Sequence, residues 1–295
     1  MDLTMALAGL GVGIIVGLTG MGGGALMTPI LVLLFHVNPV AAIGSDLAAS
    51  AVMKPFGGAV HAKRGTVNWK LVGWLCAGSV PSAFLGVLLL RLLGDDRAVQ
   101  HTVKIALGAA LLLAAAGMVA KAWASRRTAD APPAAITVRP LPTLLIGIMG
   151  GLVVGLTSVG SGSLIIVALL AVYPKLRAND LVGTDLVQAV PLVTAAALGH
   201  ALFGDLHLDI AGAVVLGSIP GVLIGSRISS RAPGGLVRSA LIIVLLASSL
   251  KLFDLSAQLV GVITGGALLV AIGLGLRARR RTTATGPQHR ETVAV

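Results

Sequence analysis

The chain has 295 residues, of which 56% are hydrophobic, 11% charged and 3% aromatic, with 39 glycines and a formal net charge of +11. Soluble domains carry about 25% charged residues, so an ordinary soluble enzyme is excluded, and the hydrophobicity equally excludes a disordered chain. What remains is an all-α polytopic membrane protein.

A helix needs about 20 apolar residues to cross about 30 Å of hydrocarbon. The first apolar region, 3–37, is interrupted at Gly20–Gly24 and reads as a pair of segments, either a full span with a shorter one or a re-entrant hairpin. The N-terminus, Met1-Asp2-Leu3-Thr4, lacks the basic region of a signal peptide, so this segment is expected to stay in the protein. Full spans are predicted over 41–62, 69–93 and 99–123, and a polar, proline-containing linker follows at 124–139. Region 140–173 is a second interrupted pair, broken at Ser158–Gly162, and spans follow at 178–203, 208–229, 236–254 and 256–276. The polar tail 277–295 reads as disordered.

Basic residues cluster between the spans: Lys63 and Arg64, Arg126 and Arg127, Lys175 and Arg177, Arg227 and Arg231, and Arg277 to Arg281. Lysine and arginine confined to loops mark cytoplasmic segments, and without aromatic interleaving they do not make a nucleic-acid surface. Placing the arginine-rich tail inside and walking back puts every strongly basic loop on one side, which gives an N-out, C-in topology. The lone Cys76 lies in an apolar run, so disulfides and cysteine metal sites are not expected. No cofactor or metal is expected either.

The chain repeats itself at a separation of 138–139 residues. Gly9, Gly13 and Gly17 match Gly147, Gly151 and Gly155, and Gly22 and Gly24 match Gly160 and Gly162. Gly44-Ser45-Asp46-Leu47 matches Gly183-Thr184-Asp185-Leu186, His61 matches His200, and Gly78-Ser79-Val80-Pro81 matches Gly217-Ser218-Ile219-Pro220. Each copy holds five segments, an odd number, so the second enters the membrane from the opposite face. The expected layout is a first repeat at 1–123, a cytoplasmic linker at 124–139, an inverted repeat at 140–254, an extra span at 255–276 and a cytoplasmic tail at 277–295. Inverted repeats with discontinuous helices are typical of secondary transporters, whose substrates bind near the midplane.

The two breaks carry the chemistry. A helix that restarts within the membrane exposes unpaired N–H groups and the positive end of a dipole. Two such starts favour an anion, held by Gly22, Gly23 and Gly24 and by Gly160, Ser161, Gly162 and Ser163. The glycines that precede the breaks are better explained by close helix packing. Within the spans stand Asp46, Lys54 and Asp185, with His61 and His200 nearer the ends. Lys54, whose counterpart is Val193, is a candidate cation for an anionic substrate. Asp46 and Asp185, with the neighbouring Ser45 and Thr184 and the two histidines, are proton-coupling or structural polar groups. An anion channel stays open as an alternative. An intramembrane aspartyl protease is a weaker one, because Gly-Ser-Asp and Gly-Thr-Asp lack the Gly-x-Gly-Asp pattern and a lysine would disturb a shared proton.

These motifs, with Thr28-Pro29, His61 and Gly65-Thr66-Val67-Asn68-Trp69, resemble the TauE/SafE family of sulfite exporters and sulfonate permeases over about residues 5–254. The resemblance implies a non-enzymatic transporter of small, chiefly sulfur-containing anions such as sulfite or sulfonates across a bacterial inner membrane. Protons and the lipid bilayer are the other expected partners, nucleic acid is not, and a homo-oligomer is compatible. The chain is similar to the subgroup with aspartate at positions 46 and 185 and lysine at 54.

Overall fold

The computed structural model describes residues 3–19, 23–94, 96–127, 137–176, 178–203, 206–228 and 234–269. Gly20, Met21 and Gly22, linker residues 128–136 and the tail fall outside them. Among the described residues ten helices precede an eleventh: α1 (Leu3–Thr19), α2 (Gly24–Leu33), α3 (Pro39–Lys63), α4 (Trp69–Leu93), α5 (Arg97–Arg127), α6 (Pro140–Thr157), α7 (Leu164–Val172), α8 (Ala178–Phe203), α9 (Leu208–Ile228) and α10 (Gly234–Leu252). The closing helix, α11, runs over Ala257–Leu269, where the described residues end. No strand forms among the described residues.

Local sequence explains the helix ends. Asn38 starts α3 by accepting the Val40 N–H at 2.9 Å, with Pro39 in the first helical position, where no N–H is needed. Asn68 does the same for α4 through the Leu71 N–H at 3.2 Å, and Gly94 stops that helix at φ 86°. Both interrupted regions resolve into a long helix and a short one. The short helices, α2 with 10 residues and α7 with 9, reach only about 15 Å at 1.5 Å per residue, half of a bilayer core.

Among the described residues, five helices are long and apolar enough to cross a membrane: Trp69–Leu93, Arg97–Ala120, Pro140–Thr157, Asp180–Phe203 and Leu208–Ile228. Helix α3 forms where a span is predicted but misses that measure, because Asp46, Lys54 and its serines dilute its apolar character. It is also a central helix. Its Ala42, Ala49 and Met53 join one apolar core with α1, α2, α5, α9 and α10, while its Val40, Ile43 and Leu47 join a second with α4 and α6–α8. Large apolar side chains such as Leu89, Met149, Leu202 and Leu216 face outward, which suits lipid as the surrounding solvent.

The helices pair across the two halves of the chain: α1 packs on α9, α6 on α4, α3 on α8 and α5 on α10. Exchanging α1–α5 for α6–α10 leaves this pairing unchanged. Glycine makes the two tightest pairs possible. A Cβ on Gly217 would lie 1.8 Å from the Ala6 carbonyl oxygen, and one on Gly155 would lie 2.2 Å from that of Ala83. In lipid, such close backbone contact replaces the hydrophobic drive that water supplies elsewhere.

Gly155→Leu should therefore lower the stability of the detergent-solubilised protein by about 1–3 kcal/mol or more. Gly73→Ala, where the added Cβ would meet nothing within 4 Å outside its own helix, should not lower the unfolding temperature.

Candidate functional site

Asp46, on α3, is fully buried. Its Oδ2 accepts the Thr28 hydroxyl from α2 at 2.8 Å and the Ser158 hydroxyl from the end of α6. One carboxylate thus ties both helix breaks together, and Gly24 allows the approach. A Cβ on Gly24 would lie 2.3 Å from the Ser158 carbonyl oxygen, 2.8 Å from its Oγ and 3.1 Å from Asp46 Oδ2. Ser158 closes α6 in the left-handed region at φ 60°, which costs a non-glycine residue about 1–2 kcal/mol.

Lys54, two turns along α3 from Asp46, is also buried, and its ammonium donates to the Ser161 hydroxyl inside the second break. Asp185 and, more weakly, Asp46 act on it electrostatically. Around it the chain turns through Gly160 at φ 134° and Gly162 at φ 97°, and Ser163 then starts α7. The N–H groups of Ser163, Leu164 and Ile165 all converge on the Gly160 carbonyl at 3.3, 3.0 and 3.4 Å. That shared acceptor takes up part of the backbone charge which sequence alone assigns to an anion. The side chains at this end are Lys54, Ser161 and Ser163. The Ser163 Oγ is buried without a partner and makes no capping bond.

At the first break, Gly23 and Gly24 are buried, with the Leu26 and Met27 N–H groups on the Gly23 carbonyl at 2.9 Å, while Gly22 lies outside the described residues. The positive end of α2 faces Asp46 through Thr28 and Gly24, so a side chain of the protein already supplies negative charge there. The two breaks are matched in sequence but not in local charge, since the second meets the Asp46 carboxylate at Ser158 and the Lys54 ammonium at Ser161.

The matched aspartates differ as well. Asp185 accepts from Gln188 Nε2 at 3.3 Å, and Gln188 Oε1 accepts from Ser79 Oγ at 3.2 Å, which links α8 to α4. Ser45 and Thr184 play a symmetric part. Ser45 Oγ donates to the His207 carbonyl at 3.4 Å, and Thr184 Oγ1 accepts the Asn68 N–H at 3.0 Å, so each holds the start of a helix in the other half. His61 sits apart from these groups, at the exposed end of α3, with Nδ1 2.9 Å from Thr66 Oγ1. His200 is buried near the end of α8.

Thr28, Ser158, Gln188 and Ser79 have no assigned role in the sequence reading. Gln188 had a usable signal, since it stands three residues after Asp185 on one helix face. Ser158 had a weaker one: a hydroxyl where the matching position, Gly20, has none.

Residues 5–252 match the family model described as Sulfite exporter TauE/SafE. The chain is 40% identical to the probable membrane transporter protein YjnA of Bacillus subtilis over 258 residues, which is 85% of this chain and all of that protein. It is 25% identical to the probable membrane transporter protein YdhB of the same organism, over 78% of this chain and 91% of YdhB. A probable membrane transporter protein of Xylella fastidiosa is 27% identical over 75% of this chain and 82% of its own length. No solved structure matches the chain.

The Ser158 geometry predicts a specific order of stabilities. Ser158→Ala removes a donor to Asp46 and keeps the left-handed strain, whereas Ser158→Gly removes the donor and relieves the strain. Alanine should be the less stable of the two by about 1 kcal/mol in thermal or denaturant unfolding.

Proposed function

The chain belongs to the TauE/SafE sulfite exporter family, and on that premise we propose that it is a secondary transporter of small anions, sulfite and organosulfonates first among them, in a bacterial inner membrane. The carrying observation is the buried Lys54 ammonium on Ser161 at the restarting end of α7. A buried ammonium needs a compensating anion or strong acceptors, and a helix start adds positive potential of about half a charge. The unpartnered Ser163 hydroxyl offers a further donor to an oxyanion. Sulfite and sulfonates present two or three oxygens on one centre, which suits a point charge flanked by two hydroxyls.

The proposed mechanism is alternating access by two inverted five-helix repeats, α1–α5 and α6–α10, oriented N-out and C-in. The pairing of the halves supports it, because each half holds a helix that only the other half completes. Small packing changes between α1 and α9 and between α6 and α4 would then open the breaks to either side in turn. In this reading Asp185 tunes Lys54, Asp46 holds the breaks together, and Ser45 and Thr184 fix the helix starts.

Proteoliposomes loaded with labelled sulfite test this directly. Lys54→Ala should cut flux at least about tenfold, equivalent to about 1.4 kcal/mol, and Lys54→Arg should restore part of it. Unlabelled sulfite outside should drive counterflow of the label. Flux that is unchanged in Lys54→Ala removes the lysine from the path, and single-channel currents without counterflow would make the protein a channel.

A further inference from the structure

The second break has two ends of opposite polarity, and the anion reading uses only one. Ser158 caps the C-terminal end of α6, where carbonyls carry about half a negative charge. At that end lies a carboxylate, Asp46, rather than a cation. The start of α2 offsets about half a charge at most, and Lys54 makes no salt bridge with Asp46 among the described residues. Lys54 acts on Asp46 only from a distance, so negative charge is left without a direct counter-ion in a fully buried place. Two buried oxygens there have no hydrogen-bond partner among the described residues: Asp46 Oδ1 and, one helical turn on, Ser50 Oγ. Residues four apart on a helix share a face, with Cβ atoms about 5–6 Å apart. That spacing is long for a direct bond and suits an ion held between the two side chains.

We propose that Asp46, Ser50, Thr28 and Ser158 form a seat for one sodium ion, which is transported together with the anion. The donor set is all oxygen, from a carboxylate, three hydroxyls and the Ser158 main-chain carbonyl, which points toward Gly24 beside Asp46. Hard cations take such ligands at about 2.3–2.6 Å, and a single carboxylate balances one positive charge, not the two of calcium. Carbonyls at the C-terminal end of a broken helix hold coupling cations in secondary transporters, while the N-terminal ends hold anions. Here one break serves both, with the cation at Ser158 and the anion at Ser161–Ser163. The second half lacks the parts for another seat. The counterparts of Thr28, Ser50 and Ser158 are Ile166, Ala189 and Gly20, so the stoichiometry is one ion per chain.

The coupling rests on the anion-transport reading above, whereas the seat can be tested without any anion. Purified protein in detergent should retain one radiolabelled sodium per chain, displaced by unlabelled sodium and not by choline. Ser50→Ala, which removes one hydroxyl from a helix it leaves intact, should weaken retention about tenfold or more, and Asp46→Asn should abolish it. Sodium should also raise the unfolding temperature of the wild type relative to choline, by less in Ser50→Ala, which keeps the test independent of whether Asp46→Asn folds. No saturable sodium retention, or retention indifferent to both substitutions, overturns the seat. So does stabilisation by mild acid alone in choline, which would put a proton on Asp46. Anion flux that runs equally in sodium and choline overturns the coupling. Sodium retained with no anion flux under any gradient overturns the transport reading and leaves the seat standing.

Discussion

A carboxylate buried away from water has to be satisfied, and in this chain the satisfaction comes from both halves at once. Asp46 draws a hydroxyl from α2 and another from the end of α6, and so brings two helix breaks that are far apart in sequence to one place. The rest follows from that meeting. Gly24 has to be glycine because Ser158 passes within contact of its α-carbon, and Ser158 has to take a left-handed turn to present its hydroxyl. Helix α3 then runs on through the interior, which carries Lys54 to Ser161 in the same break. The glycine seams of α1 with α9 and α6 with α4 hold the outer helices close around this centre without needing polar contacts.

The scaffold is close to symmetric and the centre is not. Ser45 and Thr184 bond to matching partners, one donating to the His207 carbonyl and the other accepting the Asn68 N–H, and the helix pairs exchange cleanly between halves. At the breaks the match ends. The first is faced by a carboxylate and the second by that carboxylate at one end and an ammonium at the other, and the two aspartates have different donors. Duplication followed by divergence at a few positions is a simple route to such a site. The packing is kept in both copies, while Lys54, Thr28 and Ser158 stand opposite Val193, Ile166 and Gly20. A transporter needs the symmetric part to rock and the asymmetric part to bind.

Much of the fold was legible in the sequence because the bilayer constrains it so strongly. Spans over 69–93, 178–203 and 208–229 fall on α4, α8 and α9, and the breaks at Gly20–Gly24 and Ser158–Gly162 fall between α1 and α2 and between α6 and α7. Periodicity and glycine spacing do not, however, give the depth of a helix, so the sequence shows α3 as a long helix without showing that it is the polar centre of the molecule. Within the site, Lys54 and Asp46 were visible as charges out of place. Their partners were not. A serine or threonine in an apolar run is common and cheap, and only the tertiary approach of α6 to α2 reveals that Thr28 and Ser158 share one carboxylate oxygen. The take-up of the α7 N–H groups by the Gly160 carbonyl is likewise a matter of loop geometry, set by two positive-φ glycines whose turn the sequence does not specify.

The central claim is that the second break lies on the anion's path and faces each side of the membrane in turn. A cysteine at position 161, in a Cys76→Ser background, reports this most directly when a membrane-impermeant maleimide is applied to one face of oriented vesicles at a time. The account predicts labelling from both faces, slowed from either by an organosulfonate. Labelling from one face only, or labelling that no anion slows, would contradict it.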